Sequence, residues 1–217
     1  MAPRGQWYGR TFTRVEGRPK KIALTYDDGP NDPYTQRLLE VLAKHDVKAT
    51  FFLIGRYARQ RPQVVREVAA TGHVIGNHTY SHPLLVFETI PQIRAQISEC
   101  HQAITDAVGE YSKLFRPPFG ARRPAVLRIV RSMGFEPVMW SVTGYDWNAD
   151  SAEKIEQNVI RQVRGGDVIL LHDGGHVNMG TDRSFSITAT DRLIARYKSE
   201  GYEFVTIPRM IEEFASR

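Results

Sequence analysis

The chain has 217 residues, 41% of them hydrophobic and 24% charged, with a formal net charge of +5. That length and apolar content suffice to bury a substantial core in one globular domain, and no stretch has the composition of a disordered or low-complexity segment. Lys and Arg are dispersed without a nucleic-acid-binding motif, no apolar run can span a bilayer, and a single cysteine, Cys100, excludes an intramolecular disulfide.

Residues 1–19 read as a short N-terminal extension, and residues 20–217 as a single domain in which β-branched or aromatic runs alternate with helical patterns. A first strand is expected over 21–25, then a helix over 34–44. A strand over 48–54 leads to a helix over 62–70, and a third strand, 73–76, to a helix over 90–108. Strands over 113–116, 136–142, 167–171 and 203–207 follow, with helices over 124–133, 152–163 and 187–199 between them. Pro62 and Pro124 suit first helical turns, while Gly72, Gly109, Gly134 and Gly201 suit the turns after helices. About seven strands alternating with helices predict an α/β fold of parallel strands, close to a barrel count. In such folds the loops at the carboxyl ends of the strands form the site, and the polar clusters of this chain lie there.

At the end of the first strand, Thr25-Tyr26-Asp27-Asp28-Gly29-Pro30 sets two carboxylates side by side. Adjacent acids repel, so a fold that holds them together supplies a cation and splits them into a ligand and a base; a solvated turn is the alternative. After the third strand, His78 and His82 lie four residues apart before Pro83, as a metal-binding pair or as two hydrogen-bonded loop histidines. Joined to one Asp they form a nitrogen and oxygen set that suits an open catalytic zinc. After the fourth strand, Arg116 precedes Pro117-Pro118-Phe119-Gly120, either as a surface Arg on a structural turn or aimed at a carboxylate. After the fifth, Trp140 to Asn148 gathers aromatics around Asp146, as core or as a face for a sugar ring. His172 ends the apolar strand after Gly165-Gly166 and is well placed for proton transfer.

These five clusters, in this order, resemble the motifs of the NodB-homology polysaccharide deacetylases, carbohydrate esterase family 4, over about residues 21–207. The resemblance implies a distorted (β/α) barrel of about seven parallel strands with outer helices. It also implies metal-dependent hydrolysis of N-acetyl groups on GlcNAc-containing glycans of the chitooligosaccharide or peptidoglycan type. By the same resemblance Asp27 is the catalytic base, and Asp28, His78 and His82 hold a divalent metal, zinc first, with cobalt, manganese or nickel as alternatives. Arg116 is then expected to orient Asp27, and Asp146 to tune His172 as catalytic acid. The Phe119 N–H would join an oxyanion hole, with Pro118, Trp147, Leu170 and Tyr26 on the substrate side. Thr143 departs from the pattern, because many members carry an Asp there.

Two other readings remain: an O-acetyl esterase on a xylan-like polysaccharide, and a non-catalytic metal-bound carbohydrate-binding protein. Asp27, Arg116 and His172 together weigh against the second, since binding alone needs no base, orienting Arg and acid. His176 and Arg183, in the loop over 173–186, read as substrate contacts or as parts of a mobile surface loop. His45, His73, His101 and Trp7 read as structural or exposed. The first ten residues lack the apolar core of a signal peptide, so action at the cell envelope is expected only with an anchor from outside this chain, and cytoplasmic action otherwise. Nothing in the sequence sets an oligomeric state.

Overall fold

From Ile22 onward every residue of β1 (Lys21–Asp27) is buried, so both faces of this strand are covered. Ile22, Leu24 and Tyr26 pack in the large cluster beneath the helices, whereas Ala23 belongs to a second, inner cluster with Phe52, Leu114 and Val168. The period of two along the strand separates an outer core from an inner one. A computed structural model describes residues 5–215 and carries this layering around the whole sheet; residues 1–4 of the N-terminal extension lie outside the described residues.

After β1 come α1 (Tyr34–Lys44), β2 (Thr50–Leu53), α2 (Gly55–Gln60), α3 (Pro62–Ala70), β3 (Val74–Asn77), α4 (Ile90–Val108) and β4 (Leu114–Phe115). The chain continues through α5 (Pro124–Ser132), β5 (Glu136–Pro137), β6 (Val142–Thr143), α6 (Ala152–Gln162), β7 (Asp167–His172), α7 (Ser184–Ser199), β8 (Glu203–Phe204) and α8 (Ile207–Ala215). Seven strands run in the order β5-β4-β3-β2-β1-β7-β6, and β8 pairs with β1 at Lys21 and Ile22, below the stretch that pairs with β2. All these pairings are parallel.

In a flat sheet β4 and β7, four steps apart in that order, would be separated by about 19 Å. Leu114 of β4 and Val168 of β7 nonetheless share one buried cluster, so the sheet curls into a distorted (β/α) barrel. The segment before β1 lies across the opening between its two ends, where Phe12 bridges Val138 and Arg14 bridges Asp167.

The seven expected strands are present, but the one over 136–142 is two short strands. After Pro137 the chain leaves the β4 edge, the Met139 amide donates to Phe12 and the Ser141 amide to Val168, and Val142 then joins β7 on the opposite side. The expected strand over 203–207 is cut short because Ile207 opens α8, whose Ile207 and Met210 close the inner cluster. α2 escaped prediction because six residues carry too little helical periodicity. Cys100 is buried against the Leu53 carbonyl at 3.4 Å. No helix among the described residues is long and apolar enough to cross a membrane.

Leu24 is fully buried and Trp7 is 95% exposed. Leu24→Ala should therefore cost about 2–5 kcal/mol in urea unfolding, and Trp7→Ala within about 0.5 kcal/mol.

Candidate active site

Along β1 the side chains of Thr25 and Asp27 face the barrel interior, and strict alternation would send residue 28 outward with Tyr26. Asp28 instead takes a left-handed backbone, φ 73°, which turns its carboxylate back toward that of Asp27. Both acids line one cavity of about 550 Å³ together with His78, His82, Phe119, Trp147, Leu170 and His172. The turn needs glycine at its neighbour, since a Cβ on Gly174 would lie 2.1 Å from the Asp28 carbonyl oxygen.

Asp28 Oδ1 lies 3.2 Å from His82 Nε2 and 3.5 Å from His78 Nε2, and is a buried oxygen without a hydrogen-bond partner. His78 Nδ1 is 2.7 Å from the Arg116 carbonyl, which can only accept, so Nδ1 carries the proton and Nε2 presents a lone pair. Burial lowers His78 to about 3 and also lowers His82, so both rings are neutral near pH 7. Burial, with the Asp27 charge adding to it, pushes Asp28 up to about 6 against the opposing pull of His172. The Asp28 carboxylate and the lone pair of His78 Nε2 repel unless something positive sits between them, and His82 Nε2 converges on the same oxygen. These three residues fit a divalent cation, and theirs is the cluster of metal-holding spacing found among the described residues.

Arg116 is completely buried at the end of β4. Its Nη1 donates to Asp27 Oδ1 at 2.7 Å and to Thr25 Oγ1 at 2.8 Å, while Nη2 donates to the Met139 carbonyl at 3.0 Å. The guanidinium carbon also lies 4.1 Å from the centre of the Phe52 ring. Burial raises Asp27 above its ordinary value, and the charge and hydrogen bond of Arg116, with the charge of His172, pull in the opposite direction. The turn after Arg116 puts Phe119 in the left-handed region, φ 57°, with its ring half-exposed over the cavity.

β7 delivers Leu170 and His172 to the same face, in register with Thr25 and Asp27. His172 Nδ1 lies 2.8 Å from Asp146 Oδ1, and the other Asp146 oxygen accepts from the His172 amide at 2.7 Å and from Ser186 Oγ at 2.8 Å. Burial alone would lower His172, but the charge and hydrogen bond of Asp146, with the charges of Asp28 and Asp27 adding to them, outweigh it and push the imidazole up to about 9. Trp147 meets the His172 ring edge-on at 5.3 Å and is half-exposed. A base-like carboxylate and an acid-like imidazolium thus flank a cation-ready triad, which is the composition of a metal-assisted hydrolase.

Known proteins narrow that class. The polysaccharide deacetylase family model matches residues 14–138. A Bacillus cereus protein named peptidoglycan-N-acetylglucosamine deacetylase is 39% identical over 199 residues, 91% of this chain and 70% of that protein. A Sinorhizobium fredii chitooligosaccharide deacetylase is 38% identical over 208 residues, 93% of this chain and 97% of that one. The crystal structure of the Bc1960 peptidoglycan N-acetylglucosamine deacetylase superposes with a TM-score of 0.84 at 38% identity, covering 92% of each chain. The chain belongs to the polysaccharide deacetylase family.

Arg116 and Asp146 stand behind Asp27 and His172 without lining the cavity, and two of the residues expected on the substrate side do not reach it either. Tyr26 faces the outer core, stacked on Phe51 at 5.3 Å with its hydroxyl 3.0 Å from Thr190 Oγ1, because it alternates with Asp27 along β1. Pro118 is buried beneath the turn and shapes it without lining the cavity. His176 and Arg183 do line it. Thr143 accepts from the Tyr145 amide at 3.3 Å through its hydroxyl. His45 pairs with Asp191, His73 accepts from the Ala49 amide, and His101 meets the Tyr111 hydroxyl, all away from the cavity.

Thr25, Ser186 and Asn31 were missed, because each acts through partners distant in sequence. Asn31 Nδ2 donates to the carbonyls of Asp173 and Thr181, both at 2.9 Å, and its Oδ1 accepts from the Gly180 amide at 2.6 Å. Thr35 joins this clamp by donating to Asp173 Oδ2 at 2.5 Å, beside an Asp173 that burial pushes up to about 7. Asn31→Ala leaves those backbone groups unpaired and should cost about 1–3 kcal/mol. Hydrogen exchange should accelerate over 173–181 and stay unchanged in β2; uniform acceleration would show general destabilisation instead.

Proposed function

We propose that this protein hydrolyses N-acetyl groups on GlcNAc-containing glycans, releasing acetate and leaving a free amine on the sugar. The observation that carries this reading is His172, whose Nδ1 is held by the Asp146 carboxylate at 2.8 Å, a contact that raises its pKa, while the ring stands beside the paired acids. An amide needs such an acid more than an ester does, because an unprotonated amine anion is a very poor leaving group. The names of the relatives support a glycan substrate of the peptidoglycan or chitooligosaccharide type. A peptidoglycan substrate would put the reaction at the cell envelope.

Asp28, His78 and His82 would hold the divalent cation, for which zinc suits the donor set. When bound, the metal supplies a Lewis acid for the acetyl carbonyl and lowers the pKa of water. Asp27, oriented by Arg116 and made more basic by burial, takes a proton from the water that adds to the carbonyl carbon. Phe119 supplies a backbone N–H to the tetrahedral oxyanion. His172 delivers its Nε2 proton to the sugar nitrogen as the C–N bond breaks, while Asp146 holds Nδ1. Trp147 and Leu170 line the side of the cavity nearest His172 and give the sugar an apolar surface.

Acetate release from chitooligosaccharides, peptidoglycan and acetylxylan by the zinc-loaded protein tests the reading. Asp27→Asn should lower release from the amide substrates by about 10²–10⁴-fold with zinc content retained. Release from acetylxylan alone would make the protein an O-acetyl esterase, and no release from any substrate would leave a glycan-binding protein.

The acid role also fixes a pH dependence. His172 is competent below its pKa of about 9, so kcat/KM for an amide substrate should fall as the pH rises through that value. Asp146→Asn removes the largest of the raising influences and leaves burial opposed only by the charges of Asp28 and Asp27, so this alkaline limb should move to lower pH. An unmoved limb would assign the titration to another group.

A further inference from the structure

His176 lies on the loop between β7 and α7, and that loop is fastened on several sides. Arg56 of α2 donates to the His176 carbonyl, and the Tyr57 hydroxyl donates to the Gly175 carbonyl at 3.2 Å. Arg183 Nε donates to the Gly174 carbonyl at 2.6 Å, and the Asn31 clamp holds Gly180 and Thr181. The His176 ring is fixed in turn by stacking on His82, 4.6 Å between centres at 27°, and by meeting Phe119 edge-on at 5.1 Å.

The two oxygens of Asp28 face different partners. Oδ1 faces His78 and His82, whereas Oδ2 faces His176 Nδ1 at 3.8 Å. That separation is about 1 Å longer than a hydrogen bond, and with the His176 ring held by its stacking, a small rotation of the Asp28 carboxylate would close it. Once a cation engages Oδ1, a carboxylate keeps its orientation best when a donor takes the other oxygen. Asp27 has such a partner in Arg116. For Asp28 the donor within reach is His176.

We infer that His176 is a positioning residue of the metal site, donating from Nδ1 to Asp28 Oδ2 and bracing the His82 ring, so that the protein holds its cation more tightly. The inference rests on Asp28, His78 and His82 being the metal ligands, and needs no assumption about the glycan. His176 touches neither the cation nor the reacting atoms in this role.

Two substitutions separate the hydrogen bond from the stacking. His176→Phe keeps an aromatic ring over His82 and loses the donor; His176→Asn loses the ring and offers an amide N–H near the place of Nδ1. Zinc affinity, measured by competition with a chromophoric chelator, should weaken about tenfold or more in His176→Phe, and His176→Asn should recover most of that loss. Wild-type affinity in His176→Phe, or no recovery in His176→Asn, would overturn the hydrogen-bonding role. The visible spectrum of the cobalt-loaded protein should be the same in all three, and loss of an imidazole ligand field in both variants would make His176 a direct ligand and overturn the inference. A wild-type protein that binds no zinc would instead remove the triad itself, a result distinct from equal binding by wild type and variants.

Discussion

The buried pair between Arg116 and Asp27 constrains the rest of the molecule. A guanidinium with no solvent exposure loses several kcal/mol of hydration and stays charged only where its donors are met. Here they are met by Asp27, Thr25 and the carbonyl of Met139, with Phe52 beneath the plane. Those partners come from β1, β2 and the segment after β5, so Arg116, at the end of β4, ties together strands that only a curled sheet can bring so close. Removing either charge strands the other in the barrel, at a cost of about 3–5 kcal/mol. The group that orients the proposed base is thus also an internal brace of the fold.

Strain gathers around the same mouth. Asp28, Thr79, His82, Phe119 and Tyr145 all have left-handed backbones although none is glycine. Glycine would adopt these angles without strain, but at Asp28, His82 and Phe119 the side chain itself forms the cavity wall. Each such residue costs about 1–3 kcal/mol, which the surrounding packing must exceed. The apolar clusters on both faces of the strands supply that packing, and the inner one reaches the site through Phe52 beneath Arg116. A rigid scaffold with its strain confined to loop ends is what holding two like charges together requires.

The parallel α/β architecture was legible because alternation of strand and helix patterns needs no distant partner to be recognised. The polar clusters were legible for a related reason, since Asp27-Asp28, His78 and His82, Arg116, Asp146 and His172 all follow strands and so converge at one end. Strand continuity was harder to read. Residues 136–142 look like one strand, yet the second half answers to β7 and the N-terminal segment, which no local pattern encodes. Tyr26 sits inside the first motif, but a period of two assigns it to the opposite face, a conclusion available only once Asp27 is known to face inward. The Asn31 clamp and the Ser186 hydrogen bond join residues 40 to 150 positions apart, where composition gives no signal.

Each reactive group in this cavity has a holder, and the holders are shared. Asp146 faces the His172 ring with one oxygen and accepts from the His172 amide and Ser186 Oγ with the other, so the carboxylate that orients the imidazole is itself fixed in place. Arg116 does more, because its side chain holds Asp27 while its carbonyl holds the Nδ1 proton of His78. The tautomer that frees His78 Nε2 for a cation therefore follows from the backbone position of the residue that orients the proposed base. Replacing the Arg116 side chain would disturb Asp27 and leave the carbonyl contact to His78 available, so base and ligand share a scaffold yet remain chemically separable. That separation explains how two adjacent carboxylates, equivalent in the sequence, acquire different environments: one is bound to a fixed guanidinium, the other is turned toward two imidazole nitrogens.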